Sequence, residues 1–266
     1  MKVKYMVRAV VVVLMTATLL LLGYSIMKTW NIYSKYEKDR VAYERIQEQH
    51  EEDETEETTE SERNCAGNEP KISQGLLNLH EQNEDCVAWI HIEDTPVDYP
   101  VMLHPDERDY YLHRNFDKEY SGGGCLYFAE NCNIALSDNL IIYGHHMNNG
   151  TMFGVLEKYK QESFYKDHSI IRLDTLRGSY DYQIIAAFTS PVYTGNDFKY
   201  YDFINALDAN EYQSFIDEIK QRSIYETGLT ARYGDKLLTL STCEYSQKNG
   251  RMVIVAKQTT EGGVVE

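Results

Sequence analysis

Short extended segments dominate the sequence after residue 70 and set the strongest constraint on its fold. Each is apolar or alternates apolar with polar residues over a few positions, which is the pattern of β-strands. The segments are 89–92, 97–102, 125–128, 139–143, 170–173, 180–188, 236–242 and 251–257. Eight short strands with few helices between them favour a small closed β-barrel.

The clearest helix in this region is predicted to begin after Asp208. Asp208 can act as the N-cap, and Glu211 follows three residues later, as in a capping box. An apolar face then recurs at helical spacing and is expected to pack on the barrel. Its members are Tyr212, Phe215, Ile216 and Ile219. With shorter helices predicted at 72–79 and 151–160, the fold class is mostly β with added helices (α+β).

An uncharged stretch rich in Val and Leu occupies residues 9–27. At about 1.5 Å per residue, a helix of this length can cross a hydrocarbon core of about 30 Å. Lys2, Lys4 and Arg8 precede it and the later flank becomes acidic, which predicts a cytoplasmic N-terminus. A cleavable signal peptide is the alternative, but its apolar region is usually shorter. We expect residues 1–30 to form a cytoplasmic tip and a single-pass anchor in the cell membrane, with the later domain outside.

We expect residues 31–69 to form an acidic flexible stalk and residues 70–266 to form one globular domain. Within the stalk, 35–49 can form a polar helix. Residues 51–62 are acidic and Thr-rich without apolar periodicity, so disorder is expected there. Calcium binding by these acids is disfavoured because no loop spacing directs their oxygens around an ion.

The formal net charge of −16 argues against nucleic acid as a partner. Binding to phosphates requires clustered Lys and Arg, which this sequence does not provide. The acidity otherwise indicates solubility and leaves the function open.

A cysteine, a histidine and an arginine stand at the ends of three predicted strands. Cys243 follows 236–242, Arg251 begins the next strand, and His145 follows 139–143 after Gly144. The thiolate is the attacking form of cysteine, and a nearby imidazole or cation raises its population. We therefore predict acyl transfer with Cys243 as nucleophile, His145 as general acid and base, and Arg251 as oxyanion donor.

Each of these residues has a simpler interpretation. A cysteine in a strand is usually buried without function, and an arginine at a strand start is usually an exposed charge. His146 is the alternative imidazole, since neighbouring side chains in extended backbone point to opposite faces. A metal site at the two histidines is disfavoured, and no cofactor is expected. The other histidines are expected at the surface: His50, His80, His91, His104, His113 and His168.

The sequence has five cysteines, an odd number, so an exported protein with all others paired would leave one free. We assign Cys243 as that thiol. Cys125 and Cys132 fit a local disulfide or two unlinked thiols equally well, because spacing alone does not fix their separation. The sequence leaves the states of Cys65 and Cys86 open. A zinc site is disfavoured because the sequence contains no CxxC pair.

Five short motifs together indicate a known family. They are Thr-Pro-Val-Asp-Tyr-Pro-Val from Thr95, Tyr-Gly-His-His from Tyr143, Thr-Met-Phe-Gly-Val-Leu from Thr151, Thr-Leu-Ser-Thr-Cys-Glu from Thr239 and Gly-Arg-Met-Val-Ile-Val-Ala-Lys from Gly250. With the N-terminal anchor and the helix after Asp208, this pattern resembles the class B sortases, transpeptidases that attach surface proteins to Gram-positive cell walls.

The resemblance implies an eight-stranded sortase-type β-barrel with N-terminal helices and a long helix before the last two strands. It implies that Cys243 attacks the carbonyl after a threonine in the C-terminal sorting motif of a surface protein. An amino group of a peptidoglycan precursor would then resolve the thioacyl-enzyme. Tyr143, Thr194, Ser241 and Glu244 fall near positions that line the peptide groove of the family.

Three other functions remain as alternatives. A pilin-polymerising sortase often carries an N-terminal Asp-Pro-aromatic lid motif, and none precedes Trp89. A papain-like hydrolase places its cysteine early, on a helix start, before its histidine. A non-enzymatic surface scaffold would retain its function after replacement of Cys243.

Overall fold

The computed structural model describes residues 2–61, 72–191, 198–244 and 250–259. The chain divides into two units, Met1–Glu44 and Arg45–Glu266. One helix, α1 (Lys2–Ser61), contributes to both of them. All the residues of the candidate site belong to the second unit.

The first unit contains the apolar part of α1. Within the described residues, one helix is long and apolar enough to cross a membrane. Its most apolar window has a mean hydropathy of 2.3, and none of that window is buried. The helix predicted for 35–49 is confirmed as part of α1.

The end of α1 differs from the prediction. Residues as far as Ser61 are helical, so the disorder expected from Glu51 onwards is wrong for the described part of that run. Ile46 and His50 lie one turn apart and are both buried, which holds this end of the helix in place. Glutamate is also a good helix former, so the acidic run continues the helix. The second unit begins at Arg45.

The eight predicted strands are confirmed. They are β1 (Cys86–His91), β2 (Asp98–Met102), β3 (Leu126–Phe128), β4 (Asn139–Gly144), β5 (Ile170–Thr175), β6 (Gly178–Pro191), β7 (Leu237–Glu244) and β8 (Gly250–Gln258). They form a closed barrel in the order β1-β2-β3-β4-β7-β8-β6-β5. Closure pairs every strand on both sides, as expected for a small barrel.

Two strand pairs in the barrel are parallel, β2 with β3 and β4 with β7. Parallel neighbours require a crossover connection, and the one between β4 and β7 contains β5, β6 and most of the helices. Because β4 and β7 run in the same direction, their C-terminal ends meet at one mouth of the barrel. This arrangement positions the candidate site.

Short helices cover the barrel. They are α2 (Gln74–Gln82), α3 (Glu162–Asp167), α4 (Ala209–Arg222) and the 3-10 helices Tyr110–His113, Gly154–Lys160 and Tyr200–Asp202. The helix predicted after Asp208 is confirmed as α4, with the Asp208 carboxylate accepting from the backbone N–H groups of Asn210 and Glu211. Glu211 accepts from the N–H of Leu207, one residue before the N-cap.

The apolar face of α4 packs on β6, as its spacing predicted. Tyr212, Phe215, Ile216 and Ile219 are all buried. The rings of Phe203 and Phe215 stack with centroids 3.9 Å apart. Burying a large apolar side chain contributes about 1.5–3 kcal/mol, so this face holds α4 on the barrel.

Candidate active site

The register of β4 and β7 brings two predicted site segments together. Gly144 is paired with Thr242 across the parallel ladder, and Tyr143 with Ser241. His145 follows immediately after β4, and Cys243 follows Thr242 within β7. The histidine and the cysteine are therefore next to each other in the backbone framework at one barrel mouth.

The third predicted residue is placed by the antiparallel β7–β8 ladder. Cys243 is directly paired with Arg251, and Glu244 with Gly250. The structure describes Cys243 and Glu244 by their backbone, and Thr194 lies outside the described residues. The backbone thus brings together the positions of Cys243, His145 and Arg251.

Gly144 provides the close approach that this mouth requires. A Cβ atom at this position would overlap the side chains of Leu126 and Phe153. The lack of space for a side chain explains why a glycine stands at the end of β4. Phe153 thereby fixes the path of the chain one residue before His145.

The imidazole of His145 is held by the 3-10 helix Tyr110–His113. Its Nε2 lies 2.8 Å from the carbonyl oxygen of Leu112. A carbonyl only accepts hydrogen bonds, so Nε2 carries the proton in this contact and donates it. In the neutral ring Nδ1 is then the basic nitrogen, which is available for proton transfer.

Burial lowers the pKa of His145, and the charges of His113 and Arg251 lower it further. The hydrogen bond to Leu112 acts in the opposite direction but is the smaller effect. His113 stacks on His145 with ring centroids 5.3 Å apart. The site therefore favours the neutral imidazole, the form that can accept a proton.

His146, the alternative imidazole, is directed elsewhere. Its Nδ1 lies 4.0 Å from a carboxylate oxygen of Glu157, and its backbone forms a bridge with Met152. His145, in contrast, is close enough to Arg251 for the guanidinium to affect its pKa. Of the two histidines, His145 is therefore the one that lies near Arg251.

A cavity of about 180 Å³ opens beside Leu112 and Arg251. Two cations and four tyrosines contribute to its wall, with one acid and one leucine. The lining residues are Arg108, Asp109, Leu112, Tyr127, Tyr143, Tyr200, Tyr201 and Arg251. Arg251 is half-buried here and donates from Nη1 to the Gly250 carbonyl at 3.1 Å. The cavity can thus accept carbonyl oxygens and apolar side chains of an extended peptide.

Tyr143 and Ser241 were both predicted to bind substrate, but they differ in their relation to the cavity. Tyr143 lines the cavity, and its ring centroid is 5.7 Å from that of Tyr127. Ser241 is only 1% exposed, and its hydroxyl lies 2.8 Å from that of Tyr200. Ser241 therefore contacts Tyr200, and Tyr200 in turn lines the cavity.

The remaining described cysteines are buried thiols without disulfides: Cys86, Cys125 and Cys132. The local disulfide considered for Cys125 and Cys132 is not formed. Burial raises the pKa of Cys132 to about 11 and raises that of Cys86 as well. Thiols of this kind are protonated at neutral pH and are poor nucleophiles.

Several residues at the site were not predicted from the sequence. Leu112, His113 and Tyr200 come from 3-10 helices whose sequences have no periodic pattern, and Arg108 comes from a loop. His113 was expected at the surface as an ordinary residue, although Tyr110, Tyr111 and His113 form an aromatic cluster in the sequence. This aromatic cluster could have drawn attention to His113, but the sequence does not indicate which residues its rings contact.

Comparisons with known proteins agree with this architecture. Residues 90–259 match the family model of the sortase domain. Sortase B of Staphylococcus aureus (strain NCTC 8325 / PS 47) is 31% identical over 251 residues, covering 93% of this chain and 95% of that protein. Sortase B of Listeria monocytogenes serovar 1/2a is 34% identical over 194 residues, covering 72% of this chain and 76% of that protein.

A solved structure is also similar over most of the chain. The Staphylococcus aureus sortase B–substrate complex has a TM-score of 0.74 and 28% sequence identity. The similarity covers 86% of this chain and 100% of the other. The eight-stranded barrel and its helices are thus shared in three dimensions.

Proposed function

Because the chain belongs to the sortase family, and within it to class B, we propose that Cys243, His145 and Arg251 carry out its transpeptidation. As a class B sortase it is a cysteine transpeptidase of cell-wall sorting. Its substrates are accordingly a protein with a sorting motif and an amine acceptor from peptidoglycan. We also propose the roles of these residues, the position of cleavage and the membrane topology.

In the first half-reaction, the Cys243 sulfur attacks the carbonyl carbon that follows threonine in the sorting motif. A C–S bond forms, and the C–N bond to the next residue breaks. His145 takes the proton of the Cys243 thiol as the sulfur attacks and gives it to the departing amine, and Arg251 donates hydrogen bonds to the oxyanion of the tetrahedral intermediate. The backbone N–H of Glu244 is the proposed second donor. The product is a thioacyl-enzyme.

In the second half-reaction, an amino group of a peptidoglycan precursor attacks the thioester. The new C–N bond forms, the C–S bond breaks, and the sulfur leaves as thiolate. The proton lost by the amine goes to His145, which restores the acid for the next cycle. A neutral His145 suits this step, and its burial and neighbouring positive charges favour that form.

The strand register is the observation that carries this proposal. Gly144 pairs with Thr242 and Cys243 pairs with Arg251, so three chemically distinct groups come from adjacent strand ends. The other described cysteines are buried, which leaves Cys243 as the cysteine at the site. This combination supports thioester chemistry over a scaffold function.

We assign the sorting peptide to the cavity beside Arg251. Tyr143 would contact it directly, and Ser241 would act by holding Tyr200. Thr194 and Glu244 keep the groove-lining role that their family resemblance suggests. Arg108 and Tyr201 line the same cavity and are added to the proposed peptide site.

We place the enzyme in the cell membrane, with the N-terminus in the cytoplasm and the catalytic domain outside. The exposed apolar part of α1 and the positive residues before it support this topology. The cytoplasmic tip and anchor would be residues 1–30, and a stalk would lead to the catalytic unit. We favour wall anchoring over pilus assembly because no Asp-Pro-aromatic motif precedes Trp89.

An assay with a supplied amine tests the transpeptidase mechanism. The protein is incubated with a library of threonine-containing sorting peptides, with and without an oligoglycine or a diaminopimelate-containing peptide. We expect a new amide product that increases with amine concentration at the expense of hydrolysis. Cys243→Ala should abolish it, whereas Cys132→Ala, which removes a buried thiol, should keep it. Exclusive hydrolysis at saturating amine, or turnover by Cys243→Ala, would reject the proposal.

A further inference from the structure

A row of three aromatic rings leads away from His145 to the protein surface. The ring centroids of His145 and His113 are 5.3 Å apart with an interplanar angle of 24°. Those of His113 and Tyr120 are 6.2 Å apart with an angle of 27°. We call His113 and Tyr120 the ring ledge. Its inner end contacts the imidazole of the proposed general acid and base.

The ring ledge is held by a compact turn. Arg114 and Tyr120 form an antiparallel bridge, and the N–H of Ser121 donates to the His113 carbonyl at 3.0 Å. The side chain of Asn115 accepts from the N–H of Glu119 at 2.9 Å. These bonds fix the two backbone segments that carry the rings. The ledge is therefore arranged before any ligand arrives.

The turn is also anchored to the body of the domain. Phe116, at its tip, is only 3% exposed. The carbonyl of Phe116 accepts from the side-chain amide of Asn83, at 2.7 Å. Arg45, at the start of the second unit, forms an ion pair with Asp117 at 2.9 Å. The rings thus project from a supported element.

The ring ledge lies outside the cavity that we assign to the sorting peptide. Leu112 lines that cavity and its carbonyl binds His145, whereas neither His113 nor Tyr120 is part of the wall. The 3-10 helix Tyr110–His113 therefore contributes Leu112 to the cavity and His113 to the ledge. His145 contacts both residues.

The rings of the ledge are accessible to solvent. Tyr120 is 71% exposed, and His113 is also exposed. An aromatic ring offers a large rigid contact area at a low cost in conformational entropy. The two exposed rings therefore offer such a contact area next to His145.

We propose that the ring ledge binds the amine-bearing peptide of the peptidoglycan precursor, the second substrate. This inference rests on the proposed function, in which His145 takes the proton from the attacking amine. The amine must then approach His145, and the peptide attached to it must extend away from the occupied cavity. The ledge is the exposed surface that begins at His145 and leads in that direction.

The dimensions of the ledge fit a peptide. Tyr120 is two ring spacings from His145, and each spacing is 5.3 Å or 6.2 Å. An extended residue spans about 3.3–3.6 Å, so Tyr120 lies about three to four residues from the reacting amine. At that distance the contact is with the peptide of the precursor, and its sugars are farther away. The N–H groups of such a peptide can point at the π-electrons of the two rings.

Acceptors of different length test this assignment. Transpeptidation is measured with a fixed sorting peptide and either glycinamide or tetraglycine amide as the amine. We expect the wild-type protein to have a KM for the longer acceptor that is lower by about two- to twelvefold, as an added aromatic contact gives. Tyr120→Ala should remove this difference, and Tyr120→Phe should retain it.

The matched control is Tyr233→Ala. Tyr233 is 54% exposed and packs edge-on against Tyr212, before the start of β7 and so away from the site. It should behave as wild type. Tyr120→Ala should also leave kcat/KM for the sorting peptide in hydrolysis unchanged, since the ledge lies outside the donor cavity.

The possible outcomes distinguish a failure of the ring-ledge assignment from a failure of the proposed transpeptidation. If amide product forms but Tyr120→Ala does not change the KM of the longer acceptor, the ledge assignment is overturned. A decrease in acylation by Tyr120→Ala equal to the decrease in transfer also overturns it, because the ring would then serve the donor. If the wild type forms no amide product with any amine, the proposed function itself fails.

Discussion

The Nε2–H of His145 donates a hydrogen bond to the backbone carbonyl of Leu112, 2.8 Å away. Because the acceptor is a backbone carbonyl, substituting the Leu112 side chain does not remove it. The backbone conformation at Leu112 thus fixes the tautomer of His145. The same 3-10 helix supplies His113, whose ring stacks on His145. Orientation and proton affinity of the imidazole are thus set by consecutive residues.

Replacing His113 with phenylalanine should raise the pKa of His145. The substitution keeps a stacked ring and removes a group whose charge lowers the pKa of His145. Because the positive charge of His113 disfavours the imidazolium of His145, its loss favours protonation. An NMR titration of the His145 ring protons measures the shift, with His104→Phe as control. An unchanged or lowered pKa would contradict the assigned interaction.

Arg251→Gln should decrease kcat/KM by about 10²–10³, the usual effect of losing one oxyanion donor. The pKa of His145 should rise as well, since Arg251 is one of the charges that lower it. Arg177→Gln, at the turn between β5 and β6, is the matched control and should retain activity. The assignment of Arg251 would be wrong if its variant stayed within about twofold of wild type.

Ser241→Ala should destabilise the domain and weaken binding of the sorting peptide together. It removes the 2.8 Å hydrogen bond between the hydroxyls of Ser241 and Tyr200, which contributes about 0.5–1.5 kcal/mol. In a double-mutant cycle with Tyr200→Phe, the two changes should cost less together than the sum of the single variants. Unfolding in urea and the KM of the sorting peptide give the two readouts.

The control cycle pairs Ser241→Ala with Tyr212→Phe, whose hydroxyl donates to the Asp235 carbonyl at 2.7 Å. These two changes should be additive because the residues belong to separate contacts. Additivity of Ser241→Ala with Tyr200→Phe would instead show that Ser241 acts independently of Tyr200.

The stability of the second unit should fall as the pH drops below about 6.5, the ordinary pKa of histidine. His50, expected at the surface, is only 8% exposed and stacks on Trp89 with ring centroids 3.9 Å apart. Burial lowers the pKa of His50, although Glu54, Asp98, Asp174 and Asp53 oppose this shift. The folded state therefore favours neutral His50, and its stabilisation is complete above the unfolded pKa and lost below it.

His50→Phe keeps a stacked ring without a titrating group, so it should reduce the loss of stability in acid. Urea unfolding of the detergent-solubilised full chain, followed by Trp89 fluorescence on either side of that pKa, measures the effect. His168→Asn, at a half-buried position, should leave the acid dependence as it is in wild type. An equal acid dependence in His50→Phe would show that other groups cause it.

The barrel and the meeting of three strand ends could be predicted from the sequence. Each strand is a short apolar or alternating run, so local pattern and final structure agree. Cys243 and Arg251 lie on consecutive strands, and the antiparallel hairpin makes them neighbours. The position of His145 also depends on the parallel pairing of β4 with β7, which the structure shows and no local pattern in the sequence predicts.

The contacts that orient the site could not be predicted in this way. Leu112 is 33 residues from His145, and Tyr200 is 41 residues from Ser241. Both lie on 3-10 helices, which have no hydrophobic periodicity to place them. The end of α1 was missed for a related reason, since an acidic run gives no sign that Ile46 and His50 pack against a domain.

Mass spectrometry of the acyl-enzyme tests the central claim most directly. The full chain is incubated with a sorting peptide, quenched in acid before any amine is added, and digested. The account predicts that Cys243 carries the peptide fragment ending in threonine as a thioester, and that added amine removes it as an amide. A fragment attached to any other residue, or product release by Cys243→Ala, would contradict it.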